Sequence, residues 1–222
     1  MTRQIAVLRP EPGNRVTAAA IEARGRTAIR MPLFEVRPVA WGVPAAEAFD
    51  ALILTSANAV RHGGAGLSAL HRLPVHAVGK ATADSAQRAG FDVVFVGEED
   101  AAALTANAQA AGIERALHLA GRERTIEPGG VIAQVITVYA SETLAPRDVS
   151  QLDGCIALVQ SARGGVRLGE VVDAAAISRS GMAIVALSQR AAAAVGGGWE
   201  QVVVPESISS EALIDAAIAL AD

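Results

Sequence analysis

An apolar run, Asp50-Ala-Leu-Ile-Leu54, breaks off abruptly into Thr55, Ser56 and Asn58. Ala51 to Leu54 has the length and composition of a strand buried on both faces, and the hydroxyl and amide side chains behind it are those that cap a helix. A strand that delivers such a turn to a helix start presents unpaired backbone N–H groups at the positive end of a helix dipole, an arrangement that suits anions. Taken singly, the turn is an ordinary N-cap. Here it recurs, because Leu158-Val-Gln-Ser-Ala-Arg-Gly-Gly-Val-Arg167 repeats the pattern with Ser161 standing where Ser56 stands.

The repeat extends further. Pro74 to Val96 aligns without a gap on Met182 to Val204, so that Gly90 falls on Gly198 and Phe91 on Trp199. Each copy reads as a strand, a polar turn, an Ala-rich helix, a glycine suited to the left-handed C-cap and a second strand. The pattern predicts two related α/β units rather than one large sheet.

With 222 residues the chain can form one large or two small cores, and 51% hydrophobic against 19% charged residues is a globular balance. Aromatics are only 3%, so the cores must be built from Ala, Val, Ile and Leu. The formal net charge is −4, and Lys80 stands beside eighteen arginines, which makes the planar, bidentate cation nearly the sole positive group for binding carboxylates. No basic stripe with interleaved aromatics is present, so nucleic acid is not an expected partner. Neither a signal peptide nor a membrane span is read at the N-terminus, and the expected location is the cytoplasm. Cys155 is single and His62, His71, His76 and His118 are scattered, so neither a disulfide nor a metal site is expected.

Along the chain, Ile5 to Leu8 reads as a strand and Arg15 to Arg24 as a helix, with Arg9 in the turn between them. That is the ligand edge of open α/β sheets. Pro32 to Pro38 and Gln134 to Ala140 read as extended connectors. If they pair, residues 39–135 form an inserted domain, residues 1–34 and 142–222 form the other, and the linkers lie near 32–38 and 134–141. The insert is expected to hold a helix over 59–70, strands at 75–78, 93–96 and 116–119, and a helix over 100–111. The predicted fold is therefore two doubly wound, mostly parallel α/β domains joined by a two-stranded linker, the second inserted in the first.

Glycine-rich dinucleotide and P-loop signatures are absent, and so is a G-x-S-x-G elbow. His62-Gly-Gly-Ala-Gly66 reads as a loosened helix and Gly196-Gly-Gly198 as a helix stop. Glu98-Glu99-Asp100 reads as helix capping rather than an acid/base pair. What remains at strand ends is Arg9, Thr55, Ser56, Lys80, Thr82, Arg122, Ser161 and Ser188, a set of cations, hydroxyls and helix starts without a strong nucleophile and base. Such a set can hold a polycarboxylate in a chosen shape.

Val7-Leu-Arg-Pro-Glu-Pro12, Leu54-Thr-Ser-Ala-Asn-Ala-Val60, Val78-Gly-Lys-Ala-Thr-Ala83, the Gly121 turn, Val138-Tyr139 and Val204-Pro-Glu-Ser-Ile-Ser-Ser-Glu-Ala-Leu213 together resemble the uroporphyrinogen-III synthase family. The resemblance covers nearly the whole chain in the family's order. It implies a cleft that takes hydroxymethylbilane, a linear tetrapyrrole with eight carboxylates, expels its terminal hydroxyl, inverts ring D through a spiro intermediate and closes the macrocycle without a cofactor or metal. A monomer is expected, with transient handover from hydroxymethylbilane synthase.

By the same resemblance Tyr139 assists departure of the hydroxyl. Of the residues expected to bind substrate, Thr55, Ser56, Thr82 and Ser161 match hydroxyl positions of that family, and Arg9, Asn58, Lys80, Gly121, Arg122 and Ser188 join them from their places at strand ends and turns. Two departures stand out. Gln189-Arg190 replaces a usual hydroxyl pair, and the segment between Gly121 and Tyr139 is too short and broken for the usual helix. A rival expectation is a binding or sensor protein that kept the fold and lost turnover, and a weaker one is a transferase for a phosphorylated small molecule.

Overall fold

The computed structural model describes residues 2–97, 101–124 and 126–221, the side chains of 101–104 excepted. The run Glu98-Glu99-Asp100 lies outside them. In chain order the elements are β1 (Ile5–Val7), α1 (Gly13–Glu22), β2 (Ala28–Arg30), β3 (Phe34–Pro38), β4 (Ala51–Leu54), α2 (Ala57–His62), β5 (Val75–Val78) and α3 (Lys80–Arg88). There follow β6 (Val93–Gly97), α4 (Ala101–Ala110), β7 (Ala116–Gly121), β8 (Ile132–Thr143), β9 (Ile156–Val159) and α5 (Ala162–Ala174). The chain ends with β10 (Ala183–Ala186), α6 (Gln189–Ala194), β11 (Gln201–Val203) and α7 (Ser210–Ala221).

Two compact units result, one of Met1–Glu35 with Thr143–Asp222 and one of Val36–Glu142. In the first, the strands run in the order β11-β10-β9-β1-β2 and all pair in parallel. Both faces of this sheet are covered, which is why its strands are apolar without alternation. Ala6, Ala157, Val159 and Ile184 pack on one side and Ile5, Val7, Ile156 and Val185 on the other. Cys155 is buried just before β9, and burial pushes its thiol up to about 12, so it stays protonated at neutral pH.

The second unit holds the order β3-β8-β7-β4-β5-β6, with β8-β7-β4-β5-β6 parallel. β3 lies beside β8 and runs against it: the Val39 N–H donates to Val138 O at 3.0 Å and the Leu144 N–H to Leu33 O at 2.9 Å. The two extended runs read from the sequence are thus sheet neighbours. Leu52, Leu54, Val75, Leu117 and Leu119 pack on one face, and Ile53, Ala108, Ala116 and Ile132 on the other.

One local expectation changes. The helix expected over 59–70 stops at His62 and continues as a 3-10 segment, Gly64–Leu70. The Trp41 indole donates to the Gly63 carbonyl at 2.9 Å, taking an acceptor the helix would use, and Gly64 adopts φ +68°, which few other residues tolerate. Between β7 and β8 the described residues form no helix, in keeping with the short, broken segment read from the sequence. Gly129 and Gly130, both at positive φ, turn the chain back instead.

Candidate active site

In an open α/β sheet the ligand crevice lies outside the carboxyl ends of the strands where strand order reverses. The first sheet reverses between β1 and β9, since β2 lies on one side of β1 and β9, β10 and β11 on the other. The second reverses between β4 and β7, with β5 and β6 on one side of β4. A hollow is found at each reversal.

The larger one, about 340 Å³, belongs to the second unit. Thr55 and Ser56 enter from the end of β4, Gly121 from the end of β7, Tyr139 from β8, and Arg124 from the crossover. Val78, His118 and Ala120 form its wall on the sheet face. Tyr139 is half-buried, its ring centroid 6.4 Å from that of His62, and burial together with the neighbouring Arg61 charge holds the His62 imidazole below its usual range. Its own carbonyl accepts from the Arg122 N–H at 2.9 Å, which ties β8 to the end of β7.

The smaller hollow, about 40 Å³, belongs to the first unit and is lined by Arg9, Phe34, Gln160 and Ser161 among others. The Arg9 guanidinium is packed over Gly13, where an added Cβ would stand 2.4 Å from Nε. Burial lowers its pKa, and among the described residues no carboxylate or other acceptor meets it. Beside it the Gln160 Oε1 is buried without a hydrogen-bond partner. A half-buried cation lacking a counter-ion carries a desolvation cost that an anionic ligand would relieve.

The serines share one geometry. Ser56, Ser161 and Ser188 have φ/ψ of −153°/136°, −155°/156° and −154°/162°, and their hydroxyls accept from the N–H groups of Asn58, Gly164 and Ala191 at 3.2, 3.0 and 3.2 Å. They are N-caps, so those three N–H groups are already taken. The start of α3, at Gly79, has no side-chain cap.

The remaining residues expected at the site sit elsewhere. Arg122 is exposed and pairs with Glu142 at 2.7 Å, and Lys80 is 89% exposed beside Asp84 at 3.6 Å. Thr82 is buried in the first turn of α3, and Asn58 Oδ1 accepts from Arg61 at 3.2 Å. Neither these four nor Ser188 lines either hollow. Conversely His118, Glu123 and Arg124 line the larger one and were not anticipated. A histidine in an otherwise apolar strand was the available signal for His118. For Arg124 there was none, because the crossover path decides which of two nearby arginines turns inward.

Two α/β units built on largely parallel sheets, each with a hollow at its strand-order reversal, define a ligand-binding protein of the open-sheet type. The sequence model described as Uroporphyrinogen-III synthase HemD matches residues 15–215, and the chain belongs to the uroporphyrinogen-III synthase family, cyclising lyases of tetrapyrrole biosynthesis. No curated protein sequence matches the chain. Among solved structures it is similar to a uroporphyrinogen-III synthetase from Helicobacter pylori 26695, at 16% identity over 99% of this chain and 100% of that one, with a TM-score of 0.67. A mutant uroporphyrinogen III synthase from the extremely thermophilic bacterium Thermus thermophilus is similar at 16% identity over 99% of each chain, with a TM-score of 0.54. At that identity the likeness speaks for the fold, which agrees with the two-unit α/β architecture expected from the sequence. No helix among the described residues is long and apolar enough to cross a membrane.

Proposed function

We propose that this chain converts hydroxymethylbilane to uroporphyrinogen III, with loss of water and inversion of ring D, and that Tyr139 assists departure of the terminal hydroxyl. Membership of the family supports the reaction. The observation that carries the site is the cavity in which Tyr139 meets Thr55, Ser56 and Gly121 at the strand-order reversal. A phenol can donate a proton or a hydrogen bond to a leaving oxygen, and the hydroxyls of Thr55 and Ser56 can orient the chain end beside it. Arg9 binds a substrate carboxylate, an assignment supported by its burial and its want of a partner. Ser161 and Ser188 act chiefly through the helix starts they cap. Asn58, Lys80, Thr82 and Arg122 are second to these, because each is engaged or turned away from the hollows.

The site works by holding a flexible polycarboxylate in the shape that closes to the asymmetric isomer, since the bilane closes unaided to the symmetric one. The chain acts as a cytoplasmic monomer that receives the bilane from hydroxymethylbilane synthase. The test is to supply freshly generated bilane to the purified protein and resolve isomers I and III. Isomer III in excess of a protein-free control is expected, and isomer I alone at the control rate would overturn the proposal.

A further inference from the structure

His118 stands in the middle of β7, only 1% exposed, and lines the larger cavity. Its Nδ1 lies 3.0 Å from the carbonyl oxygen of Ile53 on β4. A carbonyl only accepts, so Nδ1 carries the proton. Burial lowers the imidazole pKa against the opposing effect of that bond, with the Arg124 charge adding to the lowering, and the ring is neutral at pH 7. Nε2 is then a bare lone pair, and among the described residues it accepts no hydrogen bond. The cavity therefore has a rigidly held, nearly dry acceptor in its wall.

We propose that Nε2 of His118 accepts a hydrogen bond from a pyrrole N–H of the substrate, one ring of which occupies this cavity with a carboxylate arm toward Arg124. The inference rests on the reading above that the substrate is a linear tetrapyrrole. A carboxylate arm would meet a lone pair at Nε2 and be repelled, so the group that fits must bring its own hydrogen. The carboxylates find donors elsewhere on the wall, at the hydroxyls of Thr55 and Ser56 and at Arg124, whose Nε–H has no partner while its Nη atoms meet Thr137 Oγ1 at 3.1 Å and the Glu127 carboxylate at 3.3 Å. Glu123 is a further acceptor on the wall. It already takes the Ser141 N–H at 3.4 Å, and its negative charge opposes a ligand that carries carboxylates. The volume of about 340 Å³ lies at the low end of the roughly 300–1,000 Å³ of small-molecule sites, which suits one substituted ring rather than four. A hydrogen bond to its N–H sets the rotation of that ring about its bridging carbons, the freedom that an inversion has to control.

His118→Asn keeps an N–H donor for the Ile53 carbonyl and removes the Nε2 acceptor. The probes are a monopyrrole bearing one acetate and one propionate arm and its furan isostere, in which oxygen replaces the N–H. Both are titrated into the full chain by calorimetry and by 15N NMR of histidine-labelled protein. The pyrrole is expected to bind the unmodified chain about tenfold more tightly than the furan, since a site that offers a buried acceptor rejects the analogue lacking the hydrogen. It should also move the His118 Nε2 resonance and leave Nδ1 in place, and His118→Asn should bind both probes alike. Equal affinities for the unmodified chain, an unmoved Nε2 resonance, or no binding of either probe at millimolar concentration each overturn the proposal. Should His118→Asn fail to fold, the two probes on the unmodified chain decide alone. Bilane conversion is scored separately: isomer III formation with an unmoved Nε2 resonance removes the histidine contact and leaves the synthase reading standing, whereas absence of isomer III removes the latter.

Discussion

The ring of Tyr139 packs directly on the α-carbon of Gly121, so closely that a Cβ there would stand 2.7 Å from Cε2 and Cζ and 2.9 Å from the hydroxyl oxygen. The two residues are partners of β7 and β8 at a point where the register slips after Ala120. Glycine is required here by the approach of the phenol. Gly121→Ala is expected to displace the ring, costing about 1–3 kcal/mol in stability and at least tenfold in turnover. Melting temperature and isomer III formation report the two effects, and an alanine variant as active as the parent would show that the ring position does not matter.

Tyr139→Phe removes the hydroxyl and keeps the packing on Gly121. If the phenol assists departure of the leaving hydroxyl, turnover falls on the order of 100-fold while KM changes little. Steady-state kinetics with fresh bilane decides, and unchanged turnover returns Tyr139 to a packing role.

Arg9 separates binding from stability. Because its guanidinium is half-buried with no counter-charge among the described residues, Arg9→Met is expected to leave the melting temperature unchanged or raise it. The same change should raise KM for bilane about tenfold or more, the loss of a charge-assisted contact. A fall in stability with KM unaltered would mean that Arg9 serves the fold.

The capping serines should act on stability first. Ser56→Ala, Ser161→Ala and Ser188→Ala are each expected to cost about 1 kcal/mol, and Asp or Asn at the same positions should restore most of it. Denaturant titration measures this. An alanine variant of full stability and no activity would place that hydroxyl in the chemistry.

Acid should loosen the second unit before carboxylates titrate. His76 and His118 are both buried and both have pKa values lowered by burial from the ordinary 6.5. The unfolded chain thus binds protons that the folded chain refuses, so stability is full above about pH 6.5 and falls as pH drops below it. The slope approaches about 1.4 kcal/mol per pH unit for each histidine at its limit. Melting curves between pH 7.5 and 5.5 should show the decline, and His76→Asn combined with His118→Asn should flatten it.

Local chemistry wrote much of this structure into the chain. The buried strands at Ala51–Leu54 and Val75–Val78 and the serine caps are decided within a few residues. So are the left-handed glycines Gly90 and Gly198, at φ +89° and +91°, because they rest on apolar runs, on side chain to near-backbone bonds and on the missing Cβ. Other features depend on partners far along the chain. Trp41 reaches 22 residues to the Gly63 carbonyl and ends a helix that its own sequence would have continued. Arg122 and Arg124 are two residues apart, and only the path of the crossover sends one to Glu142 and the other to the cavity. His76 and His118 look scattered, yet each pairs with Ile53 from opposite sides and shares one sheet face with it. Strand order does the same for Arg9 and Gln160, which meet because β1 and β9 are neighbours across an inserted unit. Pairing between distant strands leaves no mark in a short window of residues, so the sequence determined the units and their caps, and the tertiary structure decided which side chains face a common hollow.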